Sequence, residues 1–372
     1  MNKIGIVSAF DPHTDRKAHS GILFKINEAI EKAGFETIWV RNPVPLSYKL
    51  ICKCITFLNM LGMRHHIHLN YTRFGAKLLA STVDRKKADK CDYLMVLHHF
   101  QIPAFFKIHI PIIYHSDATF ELANNYYIHN LPQWNINQGN EIEQIALNNS
   151  AYHLSSSTWR QKSLVETYNQ PKSKCFVLEY GPCVEVPESL PKGSVNNPLR
   201  LFFSGVAWER KGGDIAVETV YLLNQRGIKA QLVIVGIKEK PQSCINNPYV
   251  DFRGFLNKND TKQYEELKTL YKESDIFLLP TKAECAGIVF CESALYGLPV
   301  VTYDTGGVGS YVVNGVNGYR LPEGSSAEAF AAKIEEIVKN GEIPTLSNGA
   351  LKYAHDTLTW ANWTNWFRNH IQ

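Results

Sequence analysis

The chain has 372 residues, 45% hydrophobic and 20% charged, with a formal net charge of +4 at pH 7. That length favours two domains over a single core, and the balance excludes disordered and fibrous classes. No apolar run reaches membrane-span length and a strand pattern begins directly after Met1-Asn2, so a cytoplasmic protein is expected.

Lys3 to Ala9 reads as a first strand, and Gly21 to Ala33 has helical periodicity through Ile22, Leu23, Ile26, Ala29 and Ile30. Gly34 closes that helix and Thr37 to Val40 returns to strand, which completes a βαβ unit. From Arg41 to Val83 there is no Asp or Glu, while Arg41, Lys49, Lys53, Arg64, Arg73 and Lys77 occur with His65, His66 and His68. Leu50, Ile51, Ile55, Phe57, Leu58, Met60 and Leu61 interleave with them. Such a stretch fits either an anionic membrane surface or a core-packing helix whose lysines face water. Further strands are expected at Tyr93 to Leu97, Ile112 to His115 and Cys175 to Glu179. Cys52-Lys53-Cys54 is one residue too close for a metal pair, and all eight cysteines read as thiols.

Pro, Gly, Ser and Asn crowd between Pro182 and Pro198, which marks an interdomain linker. The pattern then restarts with strands expected at Leu201 to Ser204, Gln231 to Val235, Val250 to Arg253, Ile276 to Leu279 and Val300 to Tyr303. Strand and helix alternate in both halves, so two doubly wound parallel sheets are expected. The boundaries are 1–190 for the first domain and 198–356 for the second. A tail near 357–372, rich in tryptophan, is expected to pack back on the first domain.

Three turns at strand ends carry chemistry. Gly205 to Asp214 contains Arg210-Lys211-Gly212-Gly213, which offers a diphosphate fixed charge and close backbone approach. Glu284 follows the strand Ile276 to Leu279, and Glu292 lies about two turns into the helix expected from Ile288 to Tyr296. Between them Gly287, Ile288 and Val289 open that helix and make an anion site from its first amides. Two flanking carboxylates suit sugar or ribose hydroxyls, which donate hydrogen bonds. Asp304-Thr305-Gly306-Gly307 forms a third turn of this kind. In the first half, Ser20-Gly21 opens a helix, and His115-Ser116-Asp117 ends a strand, where open α/β sheets bind ligands.

Together these motifs resemble the retaining nucleotide-sugar glycosyltransferases of family 4, along nearly the whole chain and most specifically from Leu201 to Leu321. That resemblance implies the GT-B fold, two Rossmann-like domains facing a central cleft. It implies that Glu284 contacts the donor sugar near the reacting carbon and Glu292 the ribose hydroxyls. Arg210, Lys211 and the backbone of Gly287, Ile288 and Val289 would hold the diphosphate, Gly21 would pack against the donor phosphates, and His115 would approach the sugar. Departures are Val206 where many members have arginine, Ser310 where many have glutamate, and Ala286 in place of a bulky residue. No Asp-x-Asp element of the metal-dependent transferases occurs, and neither metal nor other cofactor is expected. The expected partners are a nucleotide-sugar, a glycan or lipid-linked acceptor and an anionic membrane surface, with no nucleic acid. A nucleotide-sugar epimerase, a phosphorylase or a non-catalytic nucleotide-sugar-binding scaffold could share the layout. No Gly-x-Gly-x-x-Gly follows either first strand, which argues against a dinucleotide enzyme.

Overall fold

A computed structural model describes residues 2–60, 66–185 and 194–371. Leu61, Arg64, His65 and residues 186–193 of the proline-rich linker lie outside them. The chain divides into two compact units, the first made of Met1–Glu179 with Trp360–Gln372 and the second of Tyr180–Thr359.

The first unit carries six parallel strands: β1 (Lys3–Ser8), β2 (Glu36–Arg41), β3 (Tyr93–Leu97), β4 (Ile112–Ser116), β5 (Tyr152–Ser155) and β6 (Cys175–Val177). Their order is β2-β1-β3-β4-β5-β6. The second unit holds β7 (Leu199–Ser204), β8 (Ala230–Val235), β9 (Val250–Gly254), β10 (Ile276–Leu279), β11 (Val300–Tyr303) and β12 (Gly318–Leu321). Here the order is β12-β11-β10-β7-β8-β9. Counted from β7 this is the dinucleotide-fold order 3-2-1-4-5-6, whose reversal point lies between β7 and β10. Central strands such as β10 (IFLL) and β11 (VVTY) are buried along their whole length. Helices cover both faces of such a sheet, which is why these strands read as continuous apolar runs rather than alternating ones.

Two strands were not expected. β5 is four residues, Tyr-His-Leu-Ser, too short and polar to register as an apolar run. β12 begins at Gly318 and lies at the sheet edge, so it looks like a turn. The expected helix at 21–33 is found at Ile22–Lys32 and the one at 288–296 at Ile288–Leu295. The first unit ends at Glu179 rather than 190, and the tail helix begins at Trp360.

That tail helix, Trp360–His370, packs on the first unit. Trp363 Nε1 donates to Glu179 O at 2.9 Å, Thr364 Oγ1 to Ala29 O at 3.2 Å, and Arg368 Nη2 to Lys32 O at 2.6 Å. Trp363 and Phe367 are fully buried. All eight cysteines are free thiols. Among the described residues no helix is long and apolar enough to cross a membrane.

Candidate functional site

Because β7 and β10 are neighbours at the point of reversal, the loops leaving their carboxyl ends must run side by side. The loop after β7 forms a short helical turn, Trp208–Lys211, and then Gly212 at φ +72° caps it and opens the helix Gly213–Gln225. A Cβ on Gly212 would stand 2.1 Å from Pro280 O, so only glycine lets the two loops meet. Two hydrogen bonds then stitch them: Lys282 N donates to Arg210 O at 2.8 Å, and Arg210 Nη1 to Ala283 O at 2.7 Å.

This stitching brings three charged groups together. Lys211 Nζ donates to Glu284 Oε2, and Arg210 Nη1 lies 3.8 Å from the same oxygen. The Lys211 and Glu284 side chains are 9% and 13% exposed, and Arg210 is more open at 34%. The third loop joins them, since Gly307 N donates to Glu284 O at 3.0 Å. Two cations and a carboxylate thus converge where this sheet order binds ligands.

Glu284 leads through Gly287 into the helix Ile288–Leu295. Gly287 sits at φ +95° as its N-cap and brings no side chain to the first amides, which leaves them to an anion. Glu292 lies within the same helix, 2% exposed. Its carboxylate receives Lys258 Nζ at 2.5 Å on Oε1 and Tyr271 Oη at 3.0 Å on Oε2. Local desolvation pulls the Lys258 ammonium down, but the charge of Glu292 and its hydrogen bond prevail and hold it above the usual lysine range. Burial, and then the same carboxylate, push the Tyr271 hydroxyl well up. Sequence reasoning singled out neither partner. The signal available was Glu292 itself, since a carboxylate in an apolar helix requires them.

In the first unit the strand order reverses between β1 and β3. The chain entering the helix Ile22–Lys32 takes three successive left-handed residues, His19 (φ 50°), Ser20 (φ 59°) and Gly21 (φ 93°). This turn sets the His19 ring 4.9 Å from that of His98, which follows β3 at φ 60°. The His98 ring meets His115 edge-on at 5.3 Å, and His115 lies 5.1 Å from Trp363. His115 belongs to β4 and is wholly buried. Burial above all, with the neighbouring His98, Arg160 and His19, holds its imidazole well below the usual histidine range, so it is neutral at pH 7. Ligand atoms of His98, His115 and Asp117 fall within 4.8 Å of one another. Gly21, His98 and His115 therefore share one unit, while Arg210, Lys211, Glu284, Gly287, Ile288, Val289 and Glu292 share the other.

Residues 188–348, which hold the whole of this second cluster, match the family model described as glycosyl transferases group 1. The match covers less than half of the chain. Among similar curated proteins, the amylovoran biosynthesis glycosyltransferase AmsK of Erwinia amylovora is 29% identical over 186 residues, 48% of this chain and 44% of that protein. The chain spans about half the length of the curated relatives it matches. Among solved structures, a sucrose-phosphate synthase from Thermosynechococcus elongatus superposes with a TM-score of 0.67 at 14% identity, covering 99% of this chain and 98% of that one. Anabaena Alr3699/HepE in complex with UDP gives 0.66 at 15% identity, with 99% of each chain covered. At such identities the likeness establishes the fold, which is that of the GT-B glycosyltransferases. The matched segment begins just before β7 and takes in all three loops described above.

Proposed function

We propose that this chain transfers a sugar from a nucleoside-diphosphate donor to a glycan or lipid-linked acceptor, in the synthesis of a cell-surface polysaccharide or glycolipid. The observation that carries this reading is the meeting of Arg210, Lys211 and Glu284 at the strand reversal of a group 1 glycosyltransferase domain. Breaking an anomeric bond to a diphosphate leaves negative charge on the phosphate and positive charge on the sugar carbon. Fixed cations and the amides of Ile288 and Val289 stabilise the first, and the Glu284 carboxylate lies beside the second. Lys211 pairs with Glu284 and neutralises it. An entering diphosphate competes for Lys211 and frees the carboxylate toward the sugar.

In this reading these groups supply the charge stabilisation without a metal ion. Retention of configuration, with the departing phosphate taking the acceptor proton, completes the mechanism, so no side chain is assigned as general base. A contact between His115 and the donor sugar, and packing of Gly21 against its phosphates, rest on the family resemblance. The amylovoran relative supports a polysaccharide product.

The acceptor side of the reading draws on the helix Leu46–Met60. Leu46, Leu50, Phe57 and Met60 are exposed along it, together with Lys49 and Lys53. This spacing puts them on one stripe, apolar and basic at once, which fits an anionic membrane on its cytoplasmic face. Replacing Lys49 and Lys53 by glutamine then reduces sedimentation with anionic liposomes, and equal sedimentation counts against the contact.

The decisive experiment screens nucleotide-sugars by thermal shift and follows the stabilising donor into a transfer assay with Glu284→Ala. The variant is expected to lose transfer while keeping nucleoside-diphosphate affinity within a few-fold. Isomerisation of the donor with no acceptor present would make the chain an epimerase instead.

A further inference from the structure

Glu292 reaches its surroundings through two partners from one stretch of chain. Lys258 stands on the loop between β9 and the helix Thr261–Glu273, and Tyr271 lies in that helix. The loop is organised without Lys258: Asn257 N donates to Gln263 Oε1 at 2.8 Å, and Asp260 caps the helix by accepting from Gln263 N at 3.0 Å. The Tyr271 ring is anchored separately, 4.8 Å from Phe202 and 5.1 Å from Tyr296. The Lys258 ammonium is therefore spare as far as the local fold is concerned, and it is directed at one oxygen of a carboxylate that is 2% exposed.

Such a carboxylate offers about four lone-pair sites. Lys258 takes one on Oε1 and Tyr271 one on Oε2, which leaves one acceptor site on each oxygen. Two free acceptor sites on adjacent oxygens match two hydroxyls on adjacent carbons. We infer that Lys258 is a positioning residue for the donor nucleotide: with Tyr271 it fixes Glu292 as a double acceptor for a ribose 2′,3′-diol and makes the chain select ribonucleotides over 2′-deoxyribonucleotides. This rests on the proposed donor site and adds to it the residue that holds its ribose carboxylate in place. Without Lys258 the carboxylate is held on one oxygen only, and a carboxylate free to turn no longer presents both oxygens to the two hydroxyls at once.

The test is calorimetric titration of the full chain with UDP, GDP and ADP, followed by the 2′-deoxy counterpart of the tightest binder. Wild type is expected to prefer the ribonucleotide by at least about tenfold, the worth of a hydrogen bond to a charged group. Lys258→Met should weaken the ribonucleotide by about tenfold and leave the deoxynucleotide within about twofold, so that the preference collapses. Lys258→Arg should restore it, and in turnover Lys258→Met should raise KM for the donor with kcat little changed. Should Lys258→Met weaken both nucleotides equally, or wild type show no ribose preference, the residue is a structural counter-charge and the inference fails alone. If wild type binds none of the three nucleotides, the donor-site reading fails with it. Should Lys258→Met not fold, Lys258→Arg with the wild-type preference ratio still decides, because retained folding with a lost preference also overturns the role.

Discussion

At the scale of single residues, charge pairing sets what each group can do. Lys211 faces Glu284 at low exposure, with Arg210 more open beside them. Lys211→Ala removes the group closest to Glu284 and one of the two cations proposed to hold the diphosphate. Nucleoside-diphosphate affinity is expected to fall about tenfold and transfer about 100-fold or more, read by calorimetry and initial rates. Unchanged affinity would separate Lys211 from the diphosphate. Glu143 in the first unit shows the reverse balance. It is fully buried on the helix Gln133–Asn149, accepts from Phe120 N, and has Tyr114 Oη at 3.4 Å. Burial raises its carboxyl to about 7 despite the opposing charge of Arg160 and these hydrogen bonds. Between about pH 4.5 and 7 the folded chain keeps a proton that the unfolded chain has lost, so this group's contribution to stability declines as pH rises through that window. The difference in unfolding free energy between wild type and Glu143→Gln should therefore drop by up to roughly 3 kcal/mol from pH 4.5 to 7.5. Denaturant titrations at several pH values measure it, and the depressed histidines cancel because both chains share them. A flat difference would mean that the buried carboxyl is ionised throughout.

At the scale of elements, the second unit's site is a matter of how two loops are allowed to touch. The paired cations and the two glutamates were legible in the sequence because their spacing from apolar strands is regular. Their mutual contact was not, since it depends on the strand order that makes β7 and β10 neighbours, and no local pattern states that order. Lys258 and Tyr271 escaped for the same reason: one comes from the connection after β9 and the other from the helix that follows it, and they meet Glu292 only in space. Gly212 shows the gap between motif and cause, for its glycine was legible as part of a phosphate turn. Its constraint is the Pro280 carbonyl 2.1 Å from where a Cβ would be. Gly212→Ala must shift backbone against backbone as well as bear a left-handed conformation, and a loss of about 3 kcal/mol or more is expected. Gly227 at the other end of the same helix has φ +83° and nothing within 4 Å of its Cβ position. Gly227→Ala should therefore cost only about 1 kcal/mol, the conformational strain alone. Comparing the two by thermal unfolding, with nucleotide binding as a second readout, separates strain from lost loop contact. Equal losses in both would show that the contact with Pro280 carries no weight.

At the scale of the whole molecule, the chain crosses from the first unit to the second and returns for its last helix. The two sheets were legible as alternation, and the tail was legible as something that had to be covered, because Trp360, Trp363, Trp366 and Phe367 fall at helical spacing. The polar strand β5 was not legible, yet it is one of the surfaces that receives the tail: the Tyr152 ring meets Trp366 edge-on at 5.5 Å, and Tyr152 Oη donates to His370 O at 3.3 Å. The helix Trp360–His370 therefore completes the first unit's core rather than the second's. Its fully buried Trp363 is worth about 3–5 kcal/mol on truncation to alanine by analogy with other large core residues. Removing residues 360–372 also takes away the side-chain donors to the carbonyls of Ala29, Lys32 and Glu179. The expected result by hydrogen–deuterium exchange is faster uptake in the helix Ile22–Lys32 and in β5 and β6, with β7 to β11 unchanged. Faster uptake across both sheets alike would mean that the two units unfold as one, and uptake unchanged in the first would mean that its core is complete without the helix.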